Sequence, residues 1–344
     1  MHAIKRREFM ALAAAAGASS ILPLPLPASA QTQPLPVTKN VGVLWTLAQK
    51  DQQALAREKS LLAGLAAAGW VDTKNITINN RWGLTDARQW RTAVAQLIAA
   101  NVDAIVTDTG APALEAMKST STIPIVFASQ PGGPPDPIDL GLVGDLLRPT
   151  GNVTGTLGQP IAVETDQIGL LKQISPELQN AGFLCGPNAA PSAKADARIQ
   201  VFRDSCAANQ LMPFVLAVNS DAECLDTLTE FAKQPNAGVV VSDDDGVVNF
   251  RQTVLAAIAT ARMPAIYPSE TWDSAGGMVS YYADLLAQYQ LAGEYAGRVL
   301  NGAAVTDLPV QSPDKYILSS NVKVAGSLGI TIPLEVLARS NKVK

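Results

Sequence analysis

The chain has 344 residues, 47% of them hydrophobic, enough for one large domain or two ordinary ones around a real core. Its 26 basic and 30 acidic side chains are scattered, which argues against a nucleic-acid partner, because neutralising phosphates takes clustered Lys and Arg. The single histidine, His2, excludes Ser-His-Asp and Cys-His machinery downstream of it, and His-ligated zinc or iron with them.

Lys5, Arg6 and Arg7 form a positive start, an alanine-rich apolar stretch runs from Phe9 to Leu22, and Ala28-Ser29-Ala30 is a small-x-small cleavage site. These are the three parts of a secretory signal, and the apolar run is shorter than the about 20 residues that span a bilayer. Residues 1–30 are therefore read as a signal peptide, with the mature chain starting at Gln31 in the periplasm. Arg6-Arg7-Glu8-Phe9-Met10 fits the twin-arginine pattern; an ordinary Sec signal that carries two arginines fits the same residues. No cysteine stands at the cleavage point, which argues against a lipid anchor, and no later apolar run reaches spanning length. Without the signal, 23 basic and 29 acidic residues remain, a net charge of −6. Residues 31–38 read as a polar, Pro-rich, disordered lead-in.

Val41-Gly42-Val43-Leu44-Trp45 then reads as a fully buried strand. Asp51 caps a helix whose apolar face is Leu55, Leu62, Leu65 and Ala66, with Gly69 ending it. Ile76 to Asn80 alternates with period two, as an edge strand does. Asp86 caps the next helix, with Trp90, Val94, Leu97 and Ile98 on one face. Ala104-Ile105-Val106 is a strand, Pro112 to Met117 a short helix and Ile125-Val126-Phe127 a further strand. Residues 130–137, Gln-Pro-Gly-Gly-Pro-Pro-Asp-Pro, form a rigid loop outside any regular element. Arg148 to Gly155 is a second punctuated stretch and marks a crossover between lobes. Strands at Phe183-Leu184, Phe214 to Leu216, Gly238 to Val241, Ala265 to Tyr267 and Met278 to Tyr281 follow. Helices marked by Ile199, Phe202 and Cys206, by Leu225, Leu228 and Ala232, and by Val254, Ile258 and Ala261 alternate with them. A long helix from Asp284 carries Leu285, Tyr289, Ala292, Ala296 and Val299 on one face.

Alternation with short loops implies an α/β fold of parallel sheets covered by helices on both sides, and two such series imply two Rossmann-like lobes. Ligands in such sheets bind outside the carboxyl ends of the strands, and two facing lobes engulf a solute by hinge closure. The strand ends therefore supply the candidate contacts. Trp45 offers a ring to stack on a ligand and Thr46 follows it; a core tryptophan is the plainer account of Trp45. Thr109, Gly110 and Ala111 open a helix whose first N–H groups suit a carboxylate, or else form a plain turn. Ser129 and Gln130 are donors toward the same carboxylate. In the second lobe the candidates are Asn188, Asp244, Tyr267, Glu270 and Tyr281, with Trp272 close by. Asp244 suits a ligand ammonium, and equally the cap of a helix beginning near Val247. Arg81 is a weaker second anchor, being an arginine on an edge strand.

No cofactor or metal is expected. The three cysteines, Cys185, Cys206 and Cys224, contain no CxxC pair; they allow one disulfide or three buried thiols. Ser242-Asp243-Asp244-Asp245-Gly246 lacks the spacing and the later glutamate of a calcium loop. Gly-x-Ser-x-Gly, phosphate-loop and Gly-x-Gly-x-x-Gly fingerprints are absent, which disfavours an enzyme on this scaffold.

Several strings occur together in order: Leu65-Ala66-Ala67-Ala68-Gly69-Trp70, Arg81-Trp82, Thr122 to Phe127, Gly141-Leu142-Val143, Arg148-Pro149-Thr150-Gly151-Asn152-Val153-Thr154-Gly155, Pro264 to Pro268, Ala275-Gly276-Gly277-Met278 and Leu328 to Pro333. The set resembles the substrate-binding proteins of ABC transporters with the type I periplasmic-binding fold, in the branch that includes tryptophan- and tyrosine-type amino-acid binders. The resemblance implies a monomer that captures a small amino-acid-like or aromatic carboxylate solute and passes it to a cognate ABC permease, without catalysis. A receptor-coupled sensory module on the same fold is the alternative. The resemblance further implies three crossovers, the latter two near 268–276 and 303–313. Lobe 1 is then 39–150 plus 273–306, and lobe 2 is 151–272 plus 307–344. The longer loop at 130–137 and the three acids at 243–245 depart from the family pattern beside the strand ends.

Overall fold

The computed structural model describes residues 38–344 apart from 133–135, 161 and 187–192. The signal and the lead-in up to residue 37 lie outside the described residues. From Thr38 onward strand and helix alternate. β1 (Lys39–Leu44), α1 (Gln52–Ala67), β2 (Ile76–Arg81), α2 (Ala87–Ala99), β3 (Ala104–Thr107), α3 (Gly110–Ser119), β4 (Ile125–Gly132) and β5 (Val153–Pro160) build the first lobe. Its sheet runs β2-β1-β3-β4-β5, with every neighbour parallel and β2 at the edge. Parallel neighbours need crossover helices, so both faces are covered and successive side chains serve different cores. Val41, Val43, Val106 and Val126 pack on one face with Leu61 and Leu65 of α1. Leu44, Ile105, Ile125 and Phe127 pack on the other with Val94 and Leu97 of α2 and Ala113 and Ala116 of α3.

The second lobe comprises α4 (Val163–Ile174), β6 (Asn180–Cys185), α5 (Ala193–Ala208), β7 (Met212–Ala217), α6 (Asp221–Phe231), β8 (Ala237–Val241), α7 (Asp245–Val248), α8 (Arg251–Ala261), β9 (Ala265–Tyr267), α9 (Glu270–Ser274) and β10 (Val279–Ala283). The chain then returns to the first lobe as α10 (Leu285–Leu300). It ends in the second lobe with β11 (Tyr316–Ser320), α11 (Val322–Ser327), α12 (Leu334–Arg339) and β12 (Lys342–Val343). The second sheet runs β12-β11-β10-β9-β8-β6-β7, with β10 and β11 its antiparallel pair. No helix among the described residues is long and apolar enough to cross a membrane.

The predicted caps form. Asp51 accepts from the N–H groups of Gln53 and Ala54, Asp86 from Gln89 and Asp284 from Ala287. α10 buries Tyr289, Ala292, Ala296 and Val299. Its return is fixed by close contact with α1: a Cβ on Gly64 would lie 1.8 Å from the Gln290 carbonyl oxygen, and one on Gly293 2.1 Å from that of Leu61. The two helices meet backbone to backbone, and only glycine fits at those two places. The face of α1 differs from the sequence expectation. Ala54, Leu61, Gly64 and Leu65 are buried, and Leu55 and Ala66 are exposed. The close approach of α10 decides this, because it needs glycine rather than leucine at the contact.

The crossovers also shift. β4 continues to Gly132 rather than giving way to a loop at Gln130, with register irregularities after Phe127. β5 pairs with β4 through Ile125↔Val153 and Phe127↔Gly155, so the stretch ending at Gly155 belongs to the first sheet and the chain leaves it only after Pro160. β10 pairs with β9 through Val279↔Ile266, which puts residues 279–283 in the second lobe and moves the second crossover to 283–285. The third runs from Leu308, in the first core, to Tyr316. The three are hydrogen-bonded to one another. The Ala283 N–H donates to Gln159 Oε1 (3.0 Å) and the Asp284 N–H to the Lys315 carbonyl (2.9 Å). Leu157 N–H donates to the Gln311 carbonyl at 2.8 Å, and Gln311 N–H to that of Gly155 at 3.2 Å.

Candidate functional site

At the carboxyl ends of the first sheet, Thr46 lies two residues past β1 and Asp108 directly follows β3. The Thr46 N–H and hydroxyl both donate to Asp108 Oδ2, at 2.7 and 2.5 Å. Asp108 is 1% exposed, and its Oδ1 has no hydrogen-bond partner among the described residues. Burial raises its carboxyl above the usual value; the Thr46 hydroxyl and amide, and then the Arg57 charge, oppose the rise. Tyr289 donates its hydroxyl to the Asp108 carbonyl at 3.1 Å, and Arg57 lies over the Tyr289 ring at 5.4 Å. Trp45 is a core residue, 1% exposed, stacked on Trp82 at 4.8 Å and on Tyr289 at 6.0 Å, with its indole N–H on Asn80 Oδ1. Its ring is occupied by these neighbours, which removes the stacking role expected for it.

Thr109 precedes α3 in extended backbone without a side-chain cap bond, so Gly110 and Ala111 stand at the opening of that helix as the sequence suggests. Ser129 adopts φ 53°, a left-handed conformation uncommon for a residue other than glycine, at the irregularity in β4. Its N–H donates to Thr156 Oγ1 at 3.0 Å. The Gln130 backbone pairs with Leu157, and its side chain is outside the described atoms. Arg81 donates to Gln96 and to the Asn80 carbonyl, as a surface arginine does.

In the second lobe, Asp244 is taken up by the fold. Gly186 N–H reaches its Oδ1 and Oδ2 at 3.1 and 2.9 Å, Val247 N–H reaches Oδ1 at 3.0 Å, and the Ser242 hydroxyl donates to Oδ2. This is the capping role, extended by a tie from β8 to the end of β6. Asn188 lies outside the described residues. Tyr267 is 2% exposed and stacked on Trp272 at 5.4 Å, inside the second core. Glu270 is exposed and pairs with Lys342 at 3.3 Å. Tyr281 is half-buried at the crossover, stacked on Tyr316 at 5.5 Å, with its hydroxyl 3.4 Å from Asp166 Oδ2. Burial, then the Asp166 charge, pushes its phenol up to about 12.

The structure thus brings Thr46, Thr109, Gly110, Ala111 and Ser129 to one set of strand ends and leaves Tyr281 at the crossover. It draws Trp45, Tyr267 and Asp244 into the fold, and Glu270 into a surface ion pair. The residue that sequence reading missed is Asp108. An aspartate directly after the apolar run Ala104–Thr107 was the available signal. Tyr316 and Asp166 gave no such signal, because only the β10–β11 pairing and the placement of α4 bring them to Tyr281.

Two parallel α/β lobes joined by three mutually bonded crossovers define the type I periplasmic-binding architecture. The model of the family described as ABC transporter substrate binding protein matches residues 41–344, and the chain belongs to that family. A tyrosine-binding protein from Clostridioides difficile is 24% identical over 279 residues, covering 80% of this chain and 77% of the relative. The structure of an ABC domain in complex with L-Trp from Streptococcus pneumonia superposes with a TM-score of 0.70 at 25% identity, covering 89% of this chain and all of that one. A ligand-free, open substrate binding protein with adhesive properties from Clostridium difficile superposes at 0.76 with 20% identity, covering 89% of this chain and 99% of that one.

Proposed function

We propose that this chain is the periplasmic substrate-binding component of an ABC transporter, capturing an amino-acid-like or aromatic carboxylate solute by lobe closure and delivering it to a permease. The observation that carries the reading is the bonded set of crossovers through Gln159, Ala283, Lys315 and Gln311, a hinge between two lobes of a chain in this family. The polar positions Thr46, Thr109, Gly110, Ala111 and Ser129 are proposed as the first lobe's ligand surface, with the α3 opening suited to a carboxylate. Relatives named for tyrosine and seen with L-Trp favour aromatic amino acids as first probes. Export through the N-terminal signal and cleavage after Ala30 complete the proposal.

A melting screen of amino acids and small aromatic carboxylates tests it. A ligand at 100 times its Kd adds about 2.7 kcal/mol to stability, which moves a chain of this size by several degrees, at roughly 2–4 °C per kcal/mol. Scattering should report a smaller radius of gyration with the same ligand. Absence of any stabilising compound, or stabilisation without compaction, defeats the reading.

A further inference from the structure

We propose that Thr46 and Asp108 form an acceptor-only subsite that selects ligands carrying a protonated amine, with Asp108 the positioning residue behind Thr46. The inference rests on the binding function proposed above and names what the first lobe reads in the ligand. A threonine hydroxyl ordinarily offers one donor and two lone pairs. Here its proton is committed to Asp108 Oδ2 at 2.5 Å, and the Thr46 N–H goes to the same oxygen at 2.7 Å. What remains on Thr46 Oγ1 is lone pairs, so a partner there must donate. Thr46 is half-buried at the end of β1, next to the opening of α3, so the subsite lies on the ligand surface proposed for this lobe.

The charge behind it adds to the selection. Asp108 is 1% exposed, and its Oδ1 has no hydrogen-bond partner among the described residues, so a carboxylate there lacks a full set of donors inside the lobe. Arg57 is the cation that influences it, yet its guanidinium contacts the Tyr289 hydroxyl at 3.4 Å rather than the carboxylate. A ligand ammonium on Thr46 Oγ1 would supply opposite charge one atom further out. Asp244, the other acid at a strand end, has both oxygens engaged by Gly186, Ser242 and Val247.

The test compares L-tryptophan and L-tyrosine with their desamino counterparts, 3-(indol-3-yl)propionate and 3-(4-hydroxyphenyl)propionate, by titration calorimetry. Wild-type protein should prefer the amines by about 10–100-fold, the worth of a hydrogen bond to a charged group. Asp108→Asn, whose amide can donate to Oγ1 and reverse its polarity, should remove most of that preference. Thr46→Val should do the same, and Thr46→Ser should restore it. If Asp108→Asn does not fold, the wild-type preference and the Val/Ser pair decide alone. Binding of both classes within about threefold in wild-type protein, or an equal loss for both classes in Thr46→Val, overturns the subsite while leaving the binding function intact. Failure of all four compounds, and of the wider amino-acid screen, defeats the binding function and the subsite with it.

Discussion

The Ala283 N–H donates to the side-chain oxygen of Gln159 at 3.0 Å, so the strand that leaves the first lobe is fastened to the strand that re-enters it. Gln159 is the penultimate residue of β5 and Ala283 the last of β10, so the bond joins the two strand ends where the chain passes between the lobes.

Gln159→Ala leaves the Ala283 amide without its acceptor. A buried donor stranded in this way costs about 1–3 kcal/mol. Urea unfolding should show that loss in the midpoint with an unchanged slope, because the surface exposed on unfolding hardly changes. A midpoint equal to wild type would mean that the hinge does not depend on the bond.

A second set of bonds pins the C-terminus. Asp273 is 3% exposed and is held by Lys344 Nζ at 2.7 Å and the Ser319 hydroxyl at 2.7 Å. Lys344→Met removes the nearer cation, while Ser319 and, at 3.8 Å, Lys342 remain. The expected loss is therefore about 1–3 kcal/mol rather than the larger cost of a wholly unpaired buried charge. Thermal melting of the variant beside Lys342→Met, whose contacts are longer, should place Lys344→Met lower.

Glu164 makes stability depend on pH in a definite direction. Burial raises its carboxyl above the usual 4.5, and the Arg198 guanidinium beside it opposes that rise. A raised acid binds its proton more tightly folded than unfolded, so its contribution is fully present below the unfolded pKa and is lost as pH rises through the folded one. Arg198→Met takes away the opposing charge and raises the carboxyl further. Its destabilisation, about 3–5 kcal/mol for a stranded buried charge, should be largest at neutral pH and shrink on acidification. A penalty independent of pH would show that Glu164 is not the group responsible.

The cysteines remain thiols. Cys185, Cys206 and Cys224 are buried and unbonded, and burial pushes them up to about 11, 12 and 11. Since the thiolate is the reactive form, none should react with a thiol reagent at about pH 8 in the folded protein. All three should react once it is unfolded without reductant. One reactive thiol after unfolding would mean that a disulfide had formed.

Much of the fold was legible because its signals are local. Asp51, Asp86 and Asp284 cap the helices expected of them, and the apolar face of α10 follows its spacing. The errors have long-range causes. Arg148 to Gly155 looked like a break, yet its last three residues open β5, and a Cβ on Gly155 would lie 2.1 Å from the Phe127 carbonyl oxygen. That glycine permits a strand to approach its neighbour, and sequence alone cannot tell such a residue from a breaker. β11 escaped notice because its pairing with β10 defines it. At the candidate site the sequence supplied strand-end positions but not their state: Trp45 is closed off by Trp82 and Tyr289, which arrive from β2 and α10. Trp45→Phe should accordingly leave ligand affinity within about threefold, while Trp45→Ala should cost about 3–5 kcal/mol of stability. A tenfold affinity loss in Trp45→Phe, by titration, would return that ring to the ligand surface.

Asp244 provides the sharpest contrast with Asp108. Its two oxygens receive Gly186, Val247 and the Ser242 hydroxyl, so it ties β6, β8 and the start of α7 together. Removing an N-cap costs about 0.5–2 kcal/mol, and the tie to Gly186 is lost with it. Asp244→Ala should therefore lower the unfolding midpoint by more than a cap alone. Any effect on ligand affinity should come through that loosening and fall equally on amine-bearing acids and their desamino counterparts. Asp244→Asn keeps an acceptor for two of the three donors and should recover part of the stability. A selective loss for amine-bearing ligands in Asp244→Asn would place the ammonium in the second lobe. Equal losses there, together with a selective loss in Thr46→Val, would place it in the first.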